Sequence, residues 1–136
     1  MNTPCKIMLV DDDKDDQMIF LSAVSDISTV IDCNCFDDAE QGLRVLQTND
    51  QGRPDCIFLD LNLPFMHGFE FLKVLKNSSD TDLNNIPVVI YSTSSRDTDK
   101  VKARELGAFN FFSKPTSYTE LKKGIADILT GIKCGQ

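Results

Sequence analysis

Asp60 directly follows an apolar run, residues 56–59, and precedes a segment that contains Pro64 and Gly68. A short uninterrupted apolar run is typical of an interior strand of a parallel sheet, and Pro with Gly predicts a loop after that strand. A charged group at the end of a buried strand is costly unless it is paired, binds a metal or lies at a functional rim. Taken alone, Asp60 fits a carboxylate that caps the next turn equally well.

Three other predicted strands also end in polar residues. They are residues 6–10 before Asp11 and Asp12, residues 86–91 before Ser92 and Thr93, and residues 109–113 before Lys114. In an open sheet of parallel strands, ligands bind outside the carboxyl ends of the strands. The sequence therefore predicts three carboxylates, one hydroxyl and one ammonium around a common site.

This set of groups suits the transfer of a phosphoryl group to a carboxylate. Crowded carboxylates repel one another unless a cation lies among them, and oxygen ligands of this kind suit Mg²⁺. A carboxylate can attack phosphorus to form an aspartyl-phosphate. The metal and Lys114 would neutralise the charge of the transferred group, and Ser92 could donate a hydrogen bond to it. Taken singly, Asp11 and Asp12 could cap a helix and Lys114 could be a surface lysine. The specific observation is that all of these groups occur together, each at the end of a predicted strand.

The elements that position these residues alternate between strands and helices. Apolar runs and alternation predict strands over 6–10, 30–36, 56–59, 86–91 and 109–113, and helical spacing predicts helices over 14–25, 39–46, 69–76, 97–106 and 117–132. Residues 49–54 and 77–85 are predicted loops, and Gly107 stands where a helix ends. The alternation predicts a (βα)5 domain, because right-handed crossovers give a parallel sheet covered by helices on both faces.

Length, composition and charge indicate one soluble globular domain. The chain has 136 residues, of which 41% are apolar, and this is enough to build a hydrophobic core without stabilising disulfides or metals. A formal net charge of −7 argues against direct binding of nucleic acid. No apolar run reaches the length of a membrane span or a signal peptide.

The five cysteines include no CxxC pair. We therefore expect reduced thiols in a cytoplasmic protein rather than a disulfide framework or a zinc site. Cys33 and Cys35 alternate with polar residues, so they are expected to share one face of a strand.

Four motifs, taken together, are strongly specific. They are Val10-Asp11-Asp12-Asp13, the run from Phe58 to Pro64 followed by Gly68, the run from Pro87 to Thr93, and Lys114-Pro115. With these motifs the sequence, over residues 6–129, resembles the receiver domains of response regulators in two-component phosphorelays. The resemblance implies an α/β flavodoxin-like receiver fold, a doubly wound five-stranded parallel sheet of order 2-1-3-4-5. It also implies a single receiver domain over 1–136 with no effector domain.

The resemblance implies a role for each residue of the predicted site. Asp60 is the phosphoacceptor and a metal ligand, Asp12 binds Mg²⁺ directly, Asp11 binds it through water, the backbone carbonyl of Asn62 completes the coordination, and Ser92 and Lys114 bind the phosphoryl oxygens. Phe111, three positions before the lysine, matches the aromatic switch residue that turns inward when the hydroxyl residue is drawn to the phosphate. The family often has Tyr there, but an inward Phe buries its ring without a polar partner, so the switch can survive the difference.

The function that the resemblance implies is that of a single-domain response regulator. A histidine kinase or a phosphotransfer protein would donate the phosphoryl group. The modified surface, which we expect to be the face over 95–132, would contact a downstream protein or a second copy of the chain. Such a protein is not an enzyme on a separate substrate, and it binds neither nucleic acid nor membrane. Tyr91 and the loop at 77–85 also fit lone receivers similar to those paired with phytochrome-type kinases.

The alternative is a Mg²⁺-dependent phosphatase of the haloacid dehalogenase type, which also uses an Asp nucleophile at a strand end. That group expects a second Asp two residues after the nucleophile, where this chain has Asn62. It also lacks an acidic pair on the first strand, such as Asp11 and Asp12 here. His67 is the only histidine of the chain, and we expect it to be an ordinary loop residue rather than a phosphohistidine or a metal ligand.

Overall fold

Strands and helices alternate along the chain, and the computed structural model describes them over residues 4–48, 52–132 and 134. The strands are β1 Cys5–Val10, β2 Ile31–Phe36, β3 Cys56–Leu59, β4 Val88–Ser92 and β5 Asn110–Ser113. The helices are α1 Lys14–Ile27, α2 Ala39–Thr48, α3 Gly68–Lys76, α4 Thr81–Asn84, α5 Asp97–Glu105 and α6 Tyr118–Ile132. The strands form one parallel sheet of order β2-β1-β3-β4-β5, which confirms the predicted fold. None of these helices combines the length and the apolar character needed to cross a membrane.

Each face of the sheet is covered by its own apolar layer. Ile7 belongs to the layer that includes Phe20 of α1 and Ile125 of α6. Met8, the next residue of β1, belongs to the opposite layer, which includes Phe71 of α3. All four residues of β3 are fully buried, as expected of a central strand covered on both faces. The strand that precedes Asp60 is therefore the interior strand that the sequence predicts.

The bounds of the elements differ from the predicted ones by a few residues. α1 continues to Ile27, and β4 begins at Val88 and includes Ser92, which was expected just after the strand. Gly107 follows α5 with a φ of +95°, the left-handed conformation that favours Gly at the end of a helix. Part of the predicted loop at 49–54 lies outside the described residues.

The segment 77–85 is not the featureless loop that the sequence predicts, since it contains α4. The Asp80 side chain accepts a hydrogen bond from the Asp82 N–H at 3.0 Å and so caps this short helix. Leu83 is buried, and Arg53 pairs with Asp80 at 2.9 Å. The prediction was wrong because a single apolar residue gives no helical periodicity, although it suffices to dock one turn onto the domain.

The cysteines give a second correction. Cys5 at the start of β1 and Cys134 after α6 form a disulfide, although the sequence predicts reduced thiols. The pair is separated by 129 positions, so no local spacing indicates it; the two residues meet because β1 and α6 pack in the same layer. Cys33, Cys35 and Cys56 are free thiols, and the first two lie in that layer on one face of β2, as predicted.

Candidate functional site

Asp11 and Asp60 lie side by side at the carboxyl edge of the sheet. The parallel register pairs Val10 with Leu59, so the residues that follow them are neighbours. The Asp60 N–H donates to the Val10 carbonyl at 3.0 Å, which continues the pairing by one step. Asp11 is fully buried and Asp60 is 7% exposed. The ends of β1 and β3 therefore hold two carboxylates in a largely water-excluded position.

Asp12 completes an acidic cluster with these two residues. One carboxylate oxygen from each of Asp11, Asp12 and Asp60 lies within 4.8 Å of the others. Asp12 is exposed whereas the other two are buried, so the cluster opens to solvent on one side. Carboxylate oxygens with room for water match the preference of Mg²⁺, which keeps several waters in protein sites. The residues present therefore fit a hard divalent cation.

The ammonium group of Lys114 lies against the same carboxylates. Ser113 of β5 pairs with Ser92 of β4, and the Lys114 N–H donates to the Ser92 carbonyl at 2.7 Å. Lys114 Nζ lies 2.8 Å from Asp11 Oδ2 and 3.4 Å from Asp60 Oδ2. Its side chain is 9% exposed. Lys114 is therefore part of a buried ionic network rather than a surface lysine.

Burial and pairing act in opposite directions on the charges of this network. Burial raises the pKa of Asp11 above its ordinary value, and the hydrogen bond from Lys114 offsets only part of that effect. Burial by itself lowers the pKa of Lys114, but hydrogen bonds to Asp11 and Asp16 together with the charges of Asp60 and Asp11 outweigh it and raise the pKa. Lys114 therefore carries its positive charge at physiological pH. A cation in the cluster would favour ionised Asp11, because a nearby opposite charge lowers the pKa of a carboxyl group.

Ser92 and Asn62, the two remaining residues of the predicted site, differ in their hydrogen bonds. Ser92 is fully buried in β4, and its Oγ accepts a hydrogen bond from the Ser94 N–H at 3.2 Å. Asn62 is exposed, and its N–H donates to Asp60 Oδ1 at 3.4 Å. In the part of the chain that the structure describes, the Asp60 side chain accepts a hydrogen bond from the Asn62 N–H, but it forms none with the Ser92 hydroxyl.

Phe111, the predicted switch residue, lies on β5 and is half-buried. Its ring packs against the apolar layer that contains Ala103 of α5. Together with Lys100, Ala103 and Arg104 it lines a cavity of about 300 Å³ between α5 and β5. The ring therefore lies beside an open volume on the face over 95–132.

Two contacts of Lys114 are missing from the sequence-based expectations. Asp16, in the first turn of α1, accepts a hydrogen bond from Lys114 Nζ at 2.8 Å. The Tyr91 ring centroid lies 5.1 Å from the same nitrogen, within the range of a cation–π contact. Residues 11–16 contain five aspartates, and acidic residues in a first helical turn are favoured by the helix dipole alone. No feature of the sequence therefore distinguishes Asp16 from its neighbours.

The loop between Asp60 and α3 is held close to the strand end. The Gly68 N–H donates to the Leu61 carbonyl at 2.8 Å, and a Cβ at Gly68 would overlap the Asp60 carbonyl oxygen. The glycine is therefore required by a close approach of two backbone segments. His67 Nδ1 accepts a hydrogen bond from the Phe69 N–H at 3.1 Å and caps α3, so the histidine has a structural role in this loop.

Comparison with known proteins identifies the family. A family model described as the response regulator receiver domain matches residues 7–126. The chain therefore belongs to the response regulator receiver domain family. It is similar to the transcriptional regulatory protein YcbL of Bacillus subtilis, with 38% identity over 84 residues, 62% of this chain and 34% of YcbL. The chain thus spans about a third of the length of that relative.

Two solved structures resemble the chain over nearly its whole length. The Mn²⁺-bound form of the response regulator Rcp1 is 30% identical, with a TM-score of 0.81 and 93% of each chain covered. The phosphorylated cyanobacterial phytochrome response regulator RcpA is 32% identical, with a TM-score of 0.83 and coverage of 93% of this chain and 92% of that chain. The chain is thus a response regulator receiver of two-component signalling, and the phosphatase alternative is not favoured.

Proposed function

We propose that this receiver accepts a phosphoryl group on Asp60 and signals by phosphorylation-dependent contact with another protein. The observation that supports it is the position of the Asp60 carboxylate. One oxygen atom from each of Asp11, Asp12 and Asp60 lies within 4.8 Å of the others, and the Lys114 ammonium lies 3.4 Å from Asp60. A nucleophilic carboxylate beside both a cation site and an ammonium group is an arrangement suited to phosphoryl transfer.

Asp60 would act as the nucleophile towards a phosphohistidine. One carboxylate oxygen attacks phosphorus, so that an O–P bond forms while the P–N bond breaks. The imidazole leaves with the bonding electron pair and takes up a proton from solvent. Attack of water on the aspartyl-phosphate later releases inorganic phosphate and restores the carboxylate. Both steps take place on the protein's own side chain, which is why we propose that it is not an enzyme on a separate substrate.

Asp11, Asp12 and Asp60 would hold Mg²⁺, Asp12 directly and Asp11 through water, together with the backbone carbonyl of Asn62. The ion, when bound, would neutralise charge on the phosphoryl oxygens. The related Rcp1 structure is an Mn²⁺-bound form, which supports a divalent cation as a ligand of this chain. Lys114 would bind a phosphoryl oxygen by giving up its 3.4 Å contact with Asp60.

Ser92 and Phe111 would carry the change to the surface. The Ser92 hydroxyl accepts the Ser94 N–H before phosphorylation, and it would turn to donate to a phosphoryl oxygen afterwards. Phe111 would then move inward, away from the cavity beside α5. A partner that reads the face over 95–132 would detect this movement.

The donor would be a sensor histidine kinase or a phosphotransfer protein, and the likeness to a phytochrome response regulator supports a phytochrome-type kinase as one source. The partner that responds to the phosphorylated protein would be a downstream protein or a second copy of this chain, bound through the face over 95–132. We propose a cytoplasmic location because the phosphoryl donor would be found there; the cysteines do not support it, since Cys5 and Cys134 form a disulfide. The net charge of −7 disfavours nucleic acid as a direct partner.

Intact mass spectrometry after incubation with acetyl phosphate tests the proposal. Wild type should gain a single phosphoryl adduct that requires Mg²⁺, and Asp60→Asn should gain none. Asp55→Asn, which changes a carboxylate beside β1 at the amino end of β3, is the matched control and should be labelled like wild type. An adduct that persists in Asp60→Asn would contradict the assignment of the acceptor.

A further inference from the structure

The three ammonium hydrogens of Lys114 meet three carboxylates from different parts of the chain. Nζ lies 2.8 Å from Asp11, 2.8 Å from Asp16 and 3.4 Å from Asp60. An ammonium group has three donors, so each is committed to one carboxylate. Lys114 therefore has no spare donor for an incoming group until one of these contacts is released.

Asp16 differs from the other two carboxylates in its relation to the acidic cluster. Asp11 and Asp60 are members of the cluster that fits a cation, whereas Asp16 is not. A cation and a phosphoryl group would draw on the oxygens of Asp11 and Asp60. The contact with Asp16 is the one that neither of them needs to displace.

The cap of α1 helps to hold Asp16 in place. Asp13 caps α1 by accepting a hydrogen bond from the Asp16 N–H at 3.0 Å. This cap fixes the backbone of the first turn of α1, and therefore the position from which the Asp16 side chain extends. That side chain is 33% exposed, so its pair with Lys114 lies on the solvent side of the network.

We propose that Asp16 is a positioning residue for Lys114, which keeps the ammonium at the site while Asp60 exchanges its contact for a phosphoryl oxygen. This inference rests on the proposed function, because it requires that Lys114 binds the phosphoryl group. A lysine side chain is a flexible chain of four carbons that carries a strongly hydrated charge. Without Asp16, the ammonium would leave towards solvent when the Asp60 contact breaks, and it would be displaced from the transferring group.

A double-mutant cycle between Asp16 and Lys114 tests the proposal. The initial rate of adduct formation from acetyl phosphate with Mg²⁺ is measured for wild type, Asp16→Ala, Lys114→Ala and the double variant. Asp16→Ala should slow labelling about tenfold, the effect of losing one charge-assisted hydrogen bond. In the Lys114→Ala background the same change should have no effect, because residues that act through one contact are not additive.

Two further variants separate positioning from general charge or folding effects. Asp15→Ala removes an exposed carboxylate from the same helical turn and should be labelled at the wild-type rate. Asp16→Asn retains an oxygen that can accept a hydrogen bond, so its rate should lie between those of wild type and Asp16→Ala. In metal-free protein, the ¹⁵N ammonium signal of Lys114, protected from exchange by its three partners, should be lost in Asp16→Ala.

The outcomes distinguish the two claims. If wild type is labelled but Asp16→Ala is labelled as fast or faster, the positioning role is wrong, and an equal slowing in both backgrounds would equally overturn it. If wild type takes no label from acetyl phosphate or from a phosphorylated kinase, the proposed function fails. The Lys114 ammonium signal would then still decide whether Asp16 holds the lysine.

Discussion

The two ends of the parallel sheet are stabilised in different ways. At the carboxyl end, the buried groups Asp11, Asp60 and Lys114 contact one another. At the amino end, Cys5 and Cys134 join β1 covalently to the end of α6. The carboxyl end therefore concentrates charge that is costly to bury, whereas the amino end contributes a crosslink.

The comparison indicates that the carboxyl end of the sheet is arranged for phosphoryl transfer at a cost in stability. Local rules of folding are broken mainly at functional sites and are compensated elsewhere in the fold. Replacing Asp12 or Asp60 at the carboxyl end should therefore change phosphorylation without lowering stability, because each change relieves repulsion among carboxylates. Substitutions at the amino end should lower stability without changing phosphorylation.

The largest expected effect is the loss of phosphorylation in Asp60→Asn. Asn is nearly isosteric with Asp but cannot act as the nucleophile, so no adduct should form. The variant should unfold at an equal or higher temperature than wild type without Mg²⁺, because one of three crowded carboxylates loses its charge. A large drop in melting temperature would show that Asp60 is a structural carboxylate and would break the comparison.

At the amino end, Cys134→Ser should lower the free energy of unfolding by about 2–4 kcal/mol, because the disulfide closes a long loop of the unfolded chain. Urea unfolding without reductant measures this difference. With a dithiol reductant present, wild type and variant should unfold at the same urea concentration. Phosphorylation by acetyl phosphate should remain at the wild-type rate, and coincident unfolding curves without reductant would refute the crosslink.

Mg²⁺ should stabilise the folded protein through the carboxyl end alone. A cation that binds only the folded cluster adds about 2.7 kcal/mol at a concentration one hundred times its Kd. The melting temperature should therefore rise with Mg²⁺ in wild type and in Cys134→Ser, and much less in Asp12→Asn. A melting temperature that does not change on addition of millimolar Mg²⁺ would count against the cation site.

The smallest effect is expected for Asp55→Asn at the amino end. Asp55 Oδ2 accepts a hydrogen bond from the Lys6 N–H at 2.8 Å in an exposed position. Since the amide oxygen of Asn can still accept this bond, the loss of stability should be about 0.5 kcal/mol, at the lower limit for a hydrogen bond. Paired urea titrations detect such a difference, and a larger loss would mean that the amino end also depends on charge.

The sequence predicts the carboxyl end of the sheet better than the amino end. Asp11 and Asp60 are predictable neighbours because each follows an apolar run, and parallel strands end at one edge. The disulfide is not predictable in this way, since periodicity reports which face a residue occupies but not which distant residue lies beside it. Asp16 was missed for a related reason: an acidic residue in a first helical turn has a sufficient local explanation.

The most direct test of the central claim is to locate the phosphoryl group after labelling. Borohydride reduces an acyl phosphate of aspartate to homoserine, and peptide mass mapping then identifies the converted residue. We predict conversion at Asp60 alone, in protein labelled by acetyl phosphate with Mg²⁺ or by a phosphorylated histidine kinase. Conversion at Asp11, Asp12 or another residue, with Asp60 intact, would contradict the account.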